Sequence, residues 1–322
     1  MAILLYSAIN EHLGDLQAKG RQPSTLANHR QALHHALNAW GNVDCRDIRE
    51  EHIGAYFTAH DWSAGTQMIY LGALRAFGAF LRRRSVWPRD FDPMDGWSIR
   101  GESRVERMWL TVPQMLQMLD AEPCERNRAL FALGIYTLGR AGEITSLKVG
   151  DLSLEHHSLV FYRHKTRQWD RLPVCAELHD EMTRWLGHYE AVMGPLDPEW
   201  LLVPALGPRR MTGAAGGRSF VATGEPRLMK PSSRISKPSS LATTALKRIG
   251  FRQSGNGMHV LRRSSARSMF EQLRADGYDH ALRRTAPLLG HQHTSETEHY
   301  IGVDGERRAR DEMLAGKRMF AV

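Results

Sequence analysis

A chain of 322 residues is long enough for two domains. It has no apolar run of membrane-spanning length and no basic start typical of a signal peptide, so we expect a cytoplasmic protein without a membrane partner. Its 43 Lys and Arg residues exceed its 35 Asp and Glu residues, giving a formal net charge of +8. Most of the basic residues are arginine, which indicates a nucleic-acid partner, with a solvated basic surface as the alternative. The cysteines Cys45, Cys124 and Cys175 form no CxxC pair, which argues against a zinc knuckle and fits a reducing compartment.

Residues 1–97 predict a bundle of about four helices. Gly20 and Gly41 are expected helix ends, and Pro23 is an expected start. The fourth segment has apolar residues at helical spacing that should form the core: Met68, Leu71, Leu74, Phe77 and Leu81. The arginines at 82–84 are either a solvated helix end or a phosphate contact.

A segment without clear periodicity follows, so we place a linker at 98–108 and a second domain at 109–322. This domain should be mainly helical with a small β-sheet, an α+β fold. Thr111 is the expected N-cap of its first helix, two helices should meet near Gly139, and residues 158–174 predict a β-hairpin.

Residues 204–240 are rich in Pro, Gly and Ser and predict a long loop. The stretch 204–252 contains many basic side chains and a single acid, Glu225. We therefore expect it to contact a nucleic-acid backbone, with disorder as the alternative.

The stretch LGHQHTSETEHY at 289–300 concentrates histidine, glutamate and tyrosine. An HxH pair without nearby Cys or Asp fits no metal-ligand pattern, so we expect no metal. The GxxxxGK[ST], HExxH and GxSxG motifs are absent, which removes the usual markers of nucleotide hydrolysis, zinc proteolysis and α/β-hydrolases. The capping-box pattern of Ser295 and Glu298 predicts that Ser295 starts a short helix with Tyr300 in its first turns.

Two pairs of residues lie three positions apart at helical spacing. Glu143 is placed to orient Arg140, and His259 shares a helix face with Arg262. Lys165 lies near the tip of the predicted hairpin. Each of these features alone is common on protein surfaces, so their joint occurrence carries the interpretation.

With His291 nine residues before Tyr300, this order of motifs resembles the tyrosine recombinase (phage integrase) family. The family pattern is an Arg in a TGxRxxE-like context, a Lys on a hairpin, HxxR, Gly-His and a Tyr nine residues later. The catalytic residues that it implies here are Arg140, Lys165, His259, Arg262, His291 and Tyr300.

The resemblance covers nearly the whole chain. It implies a helical, SAM-like core-binding domain and a mixed α/β catalytic domain that form a C-shaped clamp around DNA. Two departures stand out: TLGR reverses the Gly and Leu of the usual TGxR order, and Arg263 stands where the family often has His.

The resemblance implies that Tyr300 attacks a DNA phosphodiester, giving a 3′-phosphotyrosyl intermediate and a free 5′-hydroxyl. Arg140 and Arg262 would stabilise the growing phosphate charge, and His291 would contact the phosphate. His259 would act as an acid–base group or hydrogen-bond partner. Neither a metal nor another cofactor is needed.

Lys165 is the favoured general acid for the leaving 5′-oxygen, because KT at the start of the turn is the family-like context. Arg163, Arg167 and Arg171 on the same hairpin remain alternatives.

The implied activity is site-specific recombination of double-stranded DNA through a Holliday junction. A homotetramer would act on two short core sites with inverted repeats, in the bacterial nucleoid or the cytoplasm of a phage-infected host. A type IB topoisomerase and a non-catalytic DNA-binding regulator remain alternatives. The tail after Tyr300 predicts one helix, which packs on its own domain or on the next protomer in the ring.

Overall fold

A computed structural model describes most of the chain in two compact units, Met1–Val105 and Glu106–Val322. The described residues are 2–99, 109–163, 166–207, 211–212, 221–222, 228–251, 257–278, 280–291 and 293–302. Lys165, most of the basic segment at 204–227 and the tail after Gly302 lie outside these ranges.

The first unit contains the four predicted helices, α1 (Leu5–Ala18), α2 (Pro23–Trp40), α3 (Glu50–Thr58) and α4 (Ala64–Arg83), with a 3₁₀ turn at Cys45–Asp47. Helix α2 ends where expected, because Gly41 adopts a φ of 74° that residues with a Cβ rarely take. Its first residue is Pro23, whose fixed φ suits the first helical position.

Four of the five predicted core residues of α4 are buried, namely Leu71, Leu74, Phe77 and Leu81. Met68 is 51% exposed, so its assignment to the core was wrong. It lies one turn from the start of α4, and helical spacing alone does not show whether another helix covers that turn.

The arginine run at the end of α4 makes ion pairs within its own unit. Arg83 lies 3.1 Å from Asp15, and Arg84 lies 2.7 Å from Glu11. Such exposed pairs contribute little stability and leave the arginines able to exchange partners.

The second unit contains eight helices in its described parts. They are α5 (Val112–Asp120), α6 (Glu125–Tyr136), α7 (Ala141–Ile144), α8 (Ala176–Met193), α9 (Pro238–Arg248), α10 (Met258–Ala275), α11 (Ala281–Leu288) and α12 (Thr294–Ile301). Thr111 caps α5 as predicted, accepting a hydrogen bond from the backbone N–H of Gln114.

The predicted hairpin is confirmed and gains a third strand. Strands β1 (Leu152–Ser153), β2 (Ser158–Arg163) and β3 (Gln168–Pro173) form an antiparallel sheet in the order β1-β2-β3. The mainly α fold with a small sheet is therefore as expected.

The prediction of a long loop at 204–240 was wrong in its described parts. Strand β4 (Ala205–Leu206) pairs with β7 (Met229–Lys230), β5 (Met211–Thr212) pairs with β6 (Val221–Ala222), and α9 already begins at Pro238. These ladders are two residues long, too short to leave a period-2 pattern in the sequence.

The core of the second unit surrounds α6, whose residues from Ala129 to Ile135 are all buried. A smaller cluster joins the TLGR turn to α10, α11 and α12 through Leu138, Phe270, Leu289 and Ile301. The helix that carries Tyr300 and the turn that precedes Arg140 thus belong to the same hydrophobic cluster.

Candidate active site

Arg140 and Glu143 lie in contact at the start of α7. Arg140 precedes the helix, and its backbone N–H donates to Glu143 at 2.8 Å while its guanidinium donates to the same carboxylate at 3.0 Å. The pair is therefore a capping contact rather than two positions on one helix face. Glu143 is buried and fixes the direction of the half-buried Arg140 side chain.

The reversed order of TLGR has a visible consequence. Leu138 adopts a φ of 52°, in the left-handed region that glycine occupies without strain. At Gly139 a Cβ would lie 2.9 Å from Ile144, so this position has no room for a side chain. Burial of the Leu138 side chain among α10, α11 and α12 offsets the strain of its left-handed backbone.

Arg262 is the most enclosed of the expected catalytic residues that the structure describes, with 1% of its surface exposed. Its guanidinium donates to the backbone carbonyls of Leu138 and Leu289, the latter at 2.6 Å. Burial lowers the pKa of Arg262 to about 10, so the group remains charged at neutral pH. It faces the ring of Tyr300 at 5.6 Å and lies 3.9 Å from Glu143.

Tyr300 and His291 lie side by side, as the nine-residue spacing implies. Their rings meet edge to face with centroids 5.5 Å apart. Nδ1 of His291 forms a 3.0 Å hydrogen bond with the hydroxyl of Thr297, one turn before Tyr300 on α12. Thr297 was not among the predicted site residues; its position one helical turn before Tyr300 was the available signal.

The Tyr300 hydroxyl is buried and, among the described residues, has no hydrogen-bond partner of good geometry. Burial raises the pKa of Tyr300, and the nearby positive charges of Arg262, Arg263 and Arg140 oppose that rise. The phenol is therefore protonated in this state, and it must lose its proton to act as a nucleophile.

His259 begins α10 one turn before Arg262 and keeps an exposed surface. Desolvation of its ring lowers the pKa of His259. The nearby positive charges of Arg262, Arg263 and Arg140 lower it further. Its imidazole is thus neutral near pH 7 and able to accept a proton.

The helix that carries Tyr300 begins earlier than predicted. Its N-cap is His293, and Ser295 lies within the first turn without making the capping hydrogen bond. Gly302 ends the helix with a φ of 70°, and a Cβ there would lie 2.4 Å from the ring of Trp109. This tight contact fixes the end of α12.

The hairpin arginines differ in accessibility. Arg163 is 2% exposed and bound to Asp170 and to the carbonyl of Leu288, so it has no free path to a DNA oxygen. Arg167 and Arg171 are exposed on the same hairpin. Lys165 lies outside the described residues, so its assignment stays a prediction.

No three His, Cys, Asp or Glu side chains within the described ranges lie close enough together to hold a metal ion. Nor does any described helix have the length and apolar character needed to cross a membrane.

Several solved structures share this fold. A lambda integrase dimer bound to a COC′ core site has a TM-score of 0.68 at 17% identity, covering 94% of this chain and 97% of that chain. The Tn1549 transposon integrase with a circular intermediate DNA has a TM-score of 0.62 at 12% identity, covering 95% and 98%. The XerH recombinase bound to palindromic difH has a TM-score of 0.61 at 15% identity, covering 93% and 82%.

No curated protein matches the sequence. The model of the phage integrase family matches residues 108–307, which is more than half of the chain. The chain therefore belongs to the phage integrase family of tyrosine recombinases.

Proposed function

We propose that the protein is a site-specific DNA recombinase that cuts and rejoins DNA through a 3′-phosphotyrosyl bond on Tyr300 and a Holliday junction. The observation that carries the proposal is the packing of the Tyr300 ring against the Arg262 guanidinium and His291. This packing supports the assignment of Tyr300 as the nucleophile, with Arg262 and His291 as groups suited to binding a phosphate. The shared fold with recombinases solved on core-site DNA supports the same activity.

In the cleavage step, Oη of Tyr300 forms a bond to phosphorus and the bond from phosphorus to the 5′-oxygen breaks. Negative charge grows on the non-bridging oxygens, where Arg140 and Arg262 donate hydrogen bonds. Loss of one such donor costs roughly 3 kcal/mol in the transition state. Neutral His259 accepts a proton or a hydrogen bond during activation of Tyr300.

The leaving 5′-oxygen takes a proton from a basic residue on the β2–β3 hairpin, which we assign to Lys165. Rejoining reverses these steps, with a 5′-hydroxyl attacking the phosphotyrosyl phosphorus. The phosphotyrosyl ester keeps the energy of the broken bond, so no external energy source enters.

The proposed partner is double-stranded DNA with a short core site of inverted repeats, bound by four protomers on two sites. A lambda integrase tetramer on a Holliday junction, with a TM-score of 0.65 to this chain, supports this assembly. We assign the first unit the role of core-binding domain. We expect the reaction in the cytoplasm, in the bacterial nucleoid or in a phage-infected host cell.

The test is a covalent-adduct assay with the full-length protein. Duplexes that it binds would be selected from a random pool, and the selected site would be nicked near the cleavage point to trap the intermediate. The wild-type protein should form an adduct that survives denaturing gel electrophoresis. Tyr300→Phe should bind equally well and form none, because only the phenolic oxygen is lost.

Tyr278→Phe is the matched control, because Tyr278 is exposed on the same unit and contacts Arg284 rather than the site. An adduct that persists in Tyr300→Phe would contradict the assignment. Relaxation of supercoiled plasmid without a specific site would favour a topoisomerase, and specific binding without any nicking would favour a regulator.

A further inference from the structure

Arg163 is a buried arginine at the end of β2 for which the chemistry above has no role. Its Nε donates to Asp170 at 2.8 Å across the hairpin. Its Nη2 donates to the backbone carbonyl of Leu288, at the end of α11, at 3.0 Å. A buried charge is costly unless it is paired, and these two contacts provide the pairing.

The same guanidinium reaches two further parts of the site. Its Nη1 lies 3.7 Å from Glu143, the carboxylate that orients Arg140. Its carbon Cζ lies 4.6 Å from the centre of the Phe161 ring. The Arg163 side chain is therefore in contact with the hairpin, with the end of α11 and with the carboxylate that orients Arg140.

Gly290 packs directly against this side chain. A Cβ at Gly290 would lie 3.0 to 3.2 Å from atoms of Arg163, and the backbone there has a φ of 59°. Gly290 immediately precedes His291, whose ring meets Tyr300. The position of Arg163 thus sets the spacing between the hairpin and the turn that leads to the nucleophile.

We propose that Arg163 is a positioning residue, which ties the β2–β3 hairpin to the α11–α12 turn and so aligns the hairpin's general acid with the leaving 5′-oxygen. This inference rests on the proposed function. It holds whether the acid is Lys165, Arg167 or Arg171, because all three lie on the hairpin that Arg163 anchors. Lysine would not serve equally well at position 163, because it lacks the planar fork that reaches two acceptors.

The test separates proton donation from the other steps by changing the leaving group. Single-turnover adduct formation is measured on an ordinary nicked core site and on one whose scissile 5′-oxygen is replaced by sulfur. A thiolate leaves without a proton, since its conjugate acid has a pKa of about 8.5. A defect confined to the general acid therefore disappears on the sulfur substrate.

Arg163→Met should bind DNA normally and cleave the ordinary site about a hundredfold more slowly, as expected for a misplaced catalytic group. On the sulfur substrate it should cleave at nearly the wild-type rate. Arg163→Lys should fall between the two. Arg128→Met is the matched control: Arg128 is a largely buried arginine paired with Glu181 away from the site, and its loss should leave both rates unchanged.

Asp170→Asn keeps the test decisive if Arg163→Met does not fold, because the amide oxygen of Asn still accepts a hydrogen bond from Arg163 while the charge that holds the guanidinium is lost. It loosens the guanidinium that reaches the Leu288 carbonyl and should show the same selective rescue to a smaller degree. Equal slowing on both substrates, or wild-type rates on the ordinary site, would overturn the inference. A wild-type protein that forms no adduct on either substrate would instead refute the proposed function.

Discussion

Replacement of Leu138 by glycine and by alanine should separate two opposing effects at the turn before Arg140. The left-handed backbone of Leu138 disfavours any side chain, whereas its burial in the cluster with Phe270, Leu289 and Ile301 favours a large one. Alanine removes most of the burial and keeps the backbone strain. Glycine removes both.

Truncation of a buried leucine costs roughly 2 to 5 kcal/mol. Strain in the left-handed region costs roughly 1 to 2 kcal/mol for a residue with a Cβ. Leu138→Ala should therefore lose about 3 kcal/mol of stability, and Leu138→Gly about 1 kcal/mol less than that. This order inverts the usual one, in which glycine is the less stable of the two in regular structure.

The measurement is urea denaturation of the full chain, with hydrogen exchange of α10 and α12 peptides reporting on the second unit. Trapped adduct should fall in both variants, because the Leu138 carbonyl accepts a hydrogen bond from Arg262 and the turn positions it. A glycine variant less stable than the alanine variant would refute the role of backbone strain. A glycine variant more stable than wild type would show that burial of Leu138 contributes little.

Three further predictions concern pH and packing. Because the pKa of His259 is lowered, the cleavage rate at subsaturating protein should fall only below pH 6.5. His259→Gln should remove this fall from the plot of rate against pH. Burial lowers the pKa of His12 from 6.5 to about 4, so the first unit should lose about 3 kcal/mol of folding stability as the pH falls through this range. Hydrogen exchange of α1 measures this loss, and the stability of His12→Leu should depend less on pH. Gly302→Ala should lower the melting temperature and slow adduct formation because of the clash with Trp109. Gly277 has a similar positive φ and no described atom within 4 Å of a Cβ, so Gly277→Ala should cost about 1 kcal/mol of stability and leave cleavage unchanged. Equal losses in the two variants would contradict the clash.

The elements with strong periodicity or clear end signals were predictable. Gly41 and Thr111 act through local backbone geometry, which depends on few neighbours, so the sequence predicts their roles directly. Leu71 and Phe77 follow from the helical spacing of apolar residues. The contact of Arg140 with Glu143 is likewise local, although its geometry is a helix cap.

The remaining features depend on contacts between distant segments. The burial of Arg163 requires the carbonyl of Leu288, which is 125 residues away in the sequence. Ser295 has a capping pattern, yet His293 is the N-cap and Thr297 forms the hydrogen bond to His291. Local patterns could not distinguish these outcomes, because tertiary packing decides where a helix begins.

The sharing of Glu143 among three arginines has a consequence for the protein without DNA. Arg140, Arg163 and Arg262 all lie within 3.9 Å of this one carboxylate, so positive charge exceeds negative charge in a poorly solvated region. Because an anion bound there would relieve the mutual repulsion of the guanidinium groups, we expect the scissile phosphate to act as a missing counter-ion of the folded protein. By mass action the second unit should then gain stability as DNA binds, so that recognition of the substrate and completion of the proposed catalytic site would be one thermodynamic event.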